Sequence, residues 1–331
     1  MRFGLDEAAL AVRDAAAGVL AAEVSADVIR AGWPGGQAGL VGAAWRKLAG
    51  TDVLGVLVPR SRGGLGLDEN ALVPLLEEIG HSGLPGPAAE TVAVAAPLMD
   101  GPDLNRVLAG EITVAAQLGD GDLVPHGGTV PLTVLRAGDG LRLYPRASLA
   151  FAPCAAIDGS RRTGRLTSRP DGGGTLLTGD PAVIATAWRR GVLATSALLT
   201  GLSRRMIELT VGYVRRREQF GAPVGSFQAV KHALADALVA VEFARPLVLA
   251  AAWYQAAGTP EAAARVSAAK VAASDAAWLV ARTAVQCHGA IGYTTEYELH
   301  LFAKRAWALS ESWGGPDWHR DRLAHELGVS S

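Results

Sequence analysis

The sequence predicts a mostly α-helical protein in which two helical parts flank a small β-domain. Three observations predict it. Half of the residues are hydrophobic, and in most of the chain they recur at helical spacing in alanine-rich runs. From about Glu111 to Gly179 the composition changes to Gly, Thr, Val and Pro with short apolar stretches, the pattern of short strands and tight turns. A chain of 331 residues is also too long for one ordinary core, so two or three domains or layers are expected. The expected division is 1–110 helical, 111–180 β, and 181–331 helical.

Taken in order, Leu5 to Val24 is an alanine-rich helix with Leu10, Val12, Val19, Leu20 and Val24 as its apolar positions, and Ala43 to Leu48 is a second short helical piece. Trp33-Pro34-Gly35-Gly36 between them marks a loop. Leu54 to Pro59 leads into the glycine-rich turn Arg62-Gly63-Gly64-Leu65-Gly66, followed by a helix over Glu69 to Ile79. That turn lacks the Walker lysine and a preceding strand-rich unit, so it does not read as a phosphate loop. Pro85, Pro87 and Pro97 punctuate short helices ending near Gly110. Strands are expected at Thr113 to Ala116, Val130 to Leu135, Leu141 to Tyr144 and Gly174 to Thr178.

From Val183 the chain turns helical again. Thr200 to Arg217 has no proline and places Leu202, Met206, Leu209, Tyr213 and Val214 on one face. Gly221, Pro223 and Gly225 break the pattern. Ser226 is the expected N-cap of a next helix, with Leu234, Leu238, Val241 and Val248 on its apolar face. Gly258-Thr259-Pro260 ends that helix, and another begins at Pro260-Glu261.

Composition narrows the function. A formal net charge of −1 gives no electrostatic reason to expect nucleic acid or an anionic membrane surface as partner. Cys154 and Cys287 lie far apart and form neither a disulfide framework nor a metal cluster, so no metal is expected and a reducing, cytoplasmic setting is. No uncharged apolar run reaches the roughly 20 residues of a spanning helix.

The informative stretch is Tyr213 to Asp236. Arg217 ends a helix with a permanently charged fork of donors suited to a pyrophosphate, Phe220 offers an aromatic face, and Gln228 both donates and accepts. Taken alone, Arg215-Arg216-Arg217 also reads as a solvated charge cluster favoured by the helix dipole. The spacing of Tyr213, Arg217, Gln219, Phe220, Gly221, Pro223, Phe227, Gln228, Val230, His232, Ala235 and Asp236, however, resembles the signature of the acyl-CoA dehydrogenase family. A second segment, Gln286-Cys287-His288-Gly289-Ala290-Ile291-Gly292-Tyr293, is similar to that family's Q-x-x-G-G-x-G-Y/F turn, with Ala290 in place of the second glycine.

The resemblance implies an N-terminal helical domain, a small central β-domain and a C-terminal four-helix bundle. It implies FAD as cofactor, held by Arg217, Phe220, Gln228 and the turn Gln286, Cys287, His288, Gly289 and Ala290 reaching a neighbouring protomer. The implied reaction is α,β-dehydrogenation of an acyl-CoA or other acyl thioester, in which a carboxylate removes a proton beside the carbonyl. The implied assembly is a homo-oligomer, or a hetero-oligomer with a related dehydrogenase chain. An electron-transfer flavoprotein is a further partner that the resemblance admits.

Two departures stand out. The β-region lacks the family's T-E-P-x-x-G-S-D and W-I-T-N stretches. The two positions where the family carries its glutamate base fall on Trp313 and Gly191. Glu311 is the nearby candidate, ahead of Asp317. The ending Gly314-Gly315-Pro316-Asp317-Trp318-His319-Arg320 resembles the short partner subunits of two-gene actinobacterial acyl-CoA dehydrogenases, in which another chain supplies the base. A non-redox acyl-binding or scaffold protein on the same fold stands as the alternative.

Overall fold

Local sequence signals set where the helices begin. In the computed structural model, which describes residues 4–326 and residue 328, the Asp6 carboxylate accepts from Ala9 N at 2.8 Å and starts α1 (Glu7–Glu23). Ser25 caps the short α2 (Ala26–Ala31), which the sequence reading did not anticipate, and α3 (Ala38–Ala49) is twice the expected piece. The Asp68 carboxylate accepts from Asn70 N and opens α4 (Glu69–Ser82). A π-helical turn over Ala89–Ala95 precedes α5 (Gly101–Leu108).

The β-region then forms two small sheets. The first contains β1 (Val114–Gln117), β3 (Leu132–Ala137), β4 (Gly140–Pro145) and β7 (Thr175–Thr178), in the order β1-β3-β4-β7. Only the β1–β3 pair is parallel. β3 and β4 form an antiparallel ladder from Leu132 opposite Pro145 to Ala137 opposite Gly140. The second sheet is β2 (Leu123–Val124), β6 (Gly164–Leu166) and β5 (Phe151–Pro153). Leu135, Val124, Tyr144 and Leu166 make a small core between them.

Asp180 caps α6 (Pro181–Arg216), which runs without a break through the expected helix. A two-strand hairpin follows, β8 (Glu218–Gln219) and β9 (Ala222–Pro223), then α7 (Gln228–Ala256), α8 (Ala262–His288), α9 (Leu299–Ser310) and α10 (Pro316–Glu326). Two local expectations are corrected. Ser226 does not cap α7: its hydroxyl donates to Pro223 O at 2.6 Å, and Phe227 precedes the helix with no side-chain cap. Leu238 is 44% exposed rather than in the core, because the inward stripe of α7 is Ala237, Val241, Ala244 and Val248, three and four residues apart.

The helical core joins the N-terminal and C-terminal parts. α4 and α6 cross at Gly80 and Gly201, where an added methyl group would lie 2.3 Å from Leu198 O and 2.0 Å from Glu77 O, so only glycine allows these backbones to touch. Beside the crossing the buried Glu77 carboxylate accepts from Arg245 Nε of α7 at 3.0 Å and from Thr200 Oγ1 of α6 at 3.2 Å. A carboxylate so deep needs these partners, since an unpaired buried charge is strongly unfavourable. No helix among the described residues is long and apolar enough to cross a membrane.

Candidate functional site

The turn between α9 and α10 carries both the Trp313 position and Glu311. Three side chains from other elements hold it. Lys270 of α8, fully buried, donates to Leu309 O at 3.3 Å and Ser310 O at 2.5 Å, placing a cation at the negative end of α9. Burial lowers the Lys270 amine to about 7. Arg161 reaches in from the β-region and donates to Ala308 O at 3.0 Å and Ser312 Oγ at 2.7 Å. His319 of α10 lies 3.0 Å from Trp313 O and 3.1 Å from Ser267 Oγ.

Held this way, the Trp313 indole lies directly on α6. A methyl group at Gly191 would be 2.5 Å from its ring, and Trp188 meets it edge-on at 5.5 Å between centroids. Its Nε1 donates to Glu90 Oε1 at 3.3 Å. Glu90 sits on the π-helical turn, a local geometry common at functional sites, and burial pushes its carboxyl above the usual carboxylate range. The two positions at which the family resemblance places a base are therefore in contact, one as an indole and the other as the glycine beneath it.

In front of this contact is a crevice of about 350 Å³ between the β-region and the end of α9, lined by Glu90, Gln117, Cys154, Arg161, Trp188, Glu311 and Trp313 among others. Glu311 is exposed at its mouth, with Oε2 folded over Gly315, where an added methyl group would be 2.5 Å away. The sequence pointed to Glu311 alone among the crevice's charged groups. Glu90 was discoverable as a single carboxylate inside the apolar run Ala88 to Ala96. Arg161 and Lys270 had no signal of their own, because the residues they hold lie far along the chain.

The other predicted residues gather elsewhere. Arg217 terminates α6, Phe220 is 96% exposed with φ +55° on the hairpin beyond it, and Gln228 is exposed at the first turn of α7. The turn from Gln286 to Ala290 ends α8 at the same side of the bundle. His288 is buried there and stacks on Tyr213 of α6 at 4.4 Å between centroids, with Tyr297 at 4.8 Å. Its Nδ1 bonds Ala284 O at 2.8 Å. His288 thus fastens the two motifs together, while Gln286, Gly289 and Ala290 are exposed and Cys287 is half-buried. None of these residues lines the crevice of their own chain. Phe220 thus presents an exposed aromatic ring, and Arg217 makes no ion pair among the described residues. No group of His, Cys, Asp and Glu suited to a metal ion occurs among the described residues.

Comparison with known proteins gives this arrangement its family. Residues 182–328 match the model of the acyl-CoA dehydrogenase C-terminal domain. The acyl-CoA dehydrogenase IpdE2 of Mycobacterium tuberculosis is 32% identical over 277 residues, 82% of each chain, and IpdE2 of Mycolicibacterium smegmatis is 29% identical over 96% of this chain and 97% of its own. The ChsE4-ChsE5 complex of Mycobacterium tuberculosis contains a chain that superposes with a TM-score of 0.82 at 23% identity, covering 100% of both. The chain belongs to the acyl-CoA dehydrogenase family.

Proposed function

We propose that this chain is a subunit of an acyl-CoA dehydrogenase-type flavoprotein that has lost its own base and completes an FAD site shared with a second, related chain. The contact of Trp313 with Gly191 carries the reading, because it sets an indole and a glycine at the two positions where the family resemblance places a carboxylate. FAD, when bound, supplies the acceptor for the hydride leaving the β carbon. The residues of this chain would do the binding: Arg217 would donate to the pyrophosphate, Phe220 would offer an aromatic face, and Gln228 with the 286–290 turn would hydrogen-bond the nucleotide. A partner chain of the same family supplies the carboxylate that takes the proton; the ChsE4-ChsE5 complex, one chain of which shares this fold, supports a two-chain assembly.

Glu311 favours a second reading, a self-sufficient dehydrogenase, since its carboxylate stands at the crevice mouth. One experiment separates these. The chain is purified alone and co-expressed with a glutamate-bearing relative, and visible flavin absorbance and turnover are measured. The shared-site reading expects flavin in the complex, at least about tenfold less of it in Arg217→Ala through loss of a charge-assisted bond, and unchanged turnover in Glu311→Gln. Abolished turnover in Glu311→Gln supports the lone enzyme. Colourless protein in every pairing supports the non-redox scaffold.

A further inference from the structure

Beside the crevice lies a second, smaller cavity of about 30 Å³, whose lining includes Glu90, His126, Asp158, Ser160, Arg161 and Arg305. Glu90 and Arg161 line both spaces. Within this cluster the hydrogen bonds are unevenly shared. Asp158 is fully engaged: Oδ1 accepts from Ser160 N and Oγ at 3.0 and 2.6 Å, and Oδ2 accepts from Arg305 Nε at 3.2 Å. Arg305 spends its remaining donors on Gly83 O, Leu84 O and Ser160 Oγ.

Arg161 is different. It is 8% exposed and pairs with no carboxylate among the described residues, and only Nη1 has protein partners. Its Nε and Nη2 edge, the side that presents two parallel N–H groups, has none. His126, which lines the same cavity, is 6% exposed, and its ring hydrogen-bonds to no described residue. His126 is also held at φ +62°, a conformation that costs a non-glycine residue energy and is found at binding sites. Glu90 and Asp158 both favour the Arg161 charge through space, but neither carboxylate bonds its free edge: the one side-chain contact of Glu90 is the Trp313 indole.

We propose that Arg161 and His126 form a carboxylate-binding pocket beside the crevice, for the terminal carboxylate of an organic acid or of an acyl thioester with a second, free carboxyl group. The size agrees: a water needs about 10–15 Å³ of such space, so the cavity takes roughly two oxygens side by side. A guanidinium edge and a carboxylate match in both geometry and charge. The rest of the ligand lies in the crevice. The pocket stands whether or not the chain completes a flavin site, because none of its residues is among those assigned to the nucleotide.

The full-length chain, labelled at its histidine rings, is titrated with glutarate and glutaryl-CoA, and with glutaramide and butyryl-CoA as uncharged counterparts. Either carboxylate is expected to saturate and shift the His126 ring signals, while the uncharged pair leaves them in place. Binding of glutarate assigns the pocket to free acids, and binding of glutaryl-CoA alone assigns it to thioesters. Arg161→Gln is expected to weaken binding at least about tenfold. Because Arg161 also holds the end of α9, His126→Asn, which tolerates the left-handed backbone, is a second variant expected to weaken binding severalfold. No shift with either carboxylate, equal shifts with the uncharged pair, or undiminished binding in both folded variants means the cavity holds water only and overturns the proposal.

Discussion

Trp313 and Gly191 are adjacent in space although 122 positions separate them in sequence, and their contact makes a sharp prediction. An alanine at Gly191 drives its methyl into the indole, so Gly191→Ala costs about 1–3 kcal/mol through overpacking. Trp313→Ala costs about 2–3 kcal/mol, below the usual range for a core tryptophan because Trp313 is half-buried. With the ring gone, Gly191→Ala becomes neutral or stabilises by about 0.5–1 kcal/mol, the ordinary gain of alanine inside a helix. Denaturant unfolding of the four proteins measures the coupling. Additive costs would mean that the two residues do not touch.

The turn between α9 and α10 depends on protonation. His319 lies against Trp313 O, an obligate acceptor, and against Ser267 Oγ, so the network assigns a neutral ring that donates from Nε2 and accepts at Nδ1. Burial lowers His319 to about 4. The unfolded chain, titrating near the ordinary 6.5, binds the proton first as pH falls. The stabilisation from His319 is therefore complete above pH 6.5 and is lost between 6.5 and about 4. Relative to His319→Gln, the wild type should lose about 1–2 kcal/mol between pH 7.5 and 5, read from paired urea melts; a pH-independent difference would refute the neutral-ring arrangement. Lys270 acts in the opposite window. Its folded value of about 7 lies below the ordinary 10.5, so stability rises as pH climbs from 7 towards 10.5.

These examples also show what was legible beforehand. The long helices were, because Leu202, Met206 and Val214 repeat at the period of a single buried face. So were the four strands of the larger sheet. Ser226 misled because a hydroxyl at a helix start has a rival acceptor nearby, here the Pro223 carbonyl, and local sequence does not rank the two. Leu238 misled because leucine marks apolarity without saying whether the covering surface belongs to the same chain. Arg161, Lys270 and Glu90 meet only after the β-region folds against α9, so no local pattern announces them.

The outward surface of α7 extends that last point to the assembly. Val239, Phe243 and Leu247 stand four residues apart on the side opposite the core stripe, 51%, 74% and 46% exposed, and Trp253 continues the row at 41%. α8 adds the half-exposed Trp278 and Leu279. Exposed apolar rows of this length are surfaces of the kind used for protein–protein contact, and helices facing each other across a twofold axis would bury this one twice. Phe243 is the most exposed of the set and has the least to do with the fold of its own chain. Phe243→Asp should therefore leave the melting temperature of the dissociated chain almost unchanged, within the roughly 0.5 kcal/mol usual for surface substitutions. It should weaken association at least about tenfold to a hundredfold, since burying a phenylalanine contributes about 1.5–3 kcal/mol and a carboxylate there adds a desolvation penalty. Light scattering across a dilution series, for the chain alone and with a related dehydrogenase subunit, reads the change in mass. If flavin occupancy falls in step with dissociation, the association surface and the shared nucleotide site are linked; an unchanged mass at every dilution would show that the α7 row is not where the second chain sits.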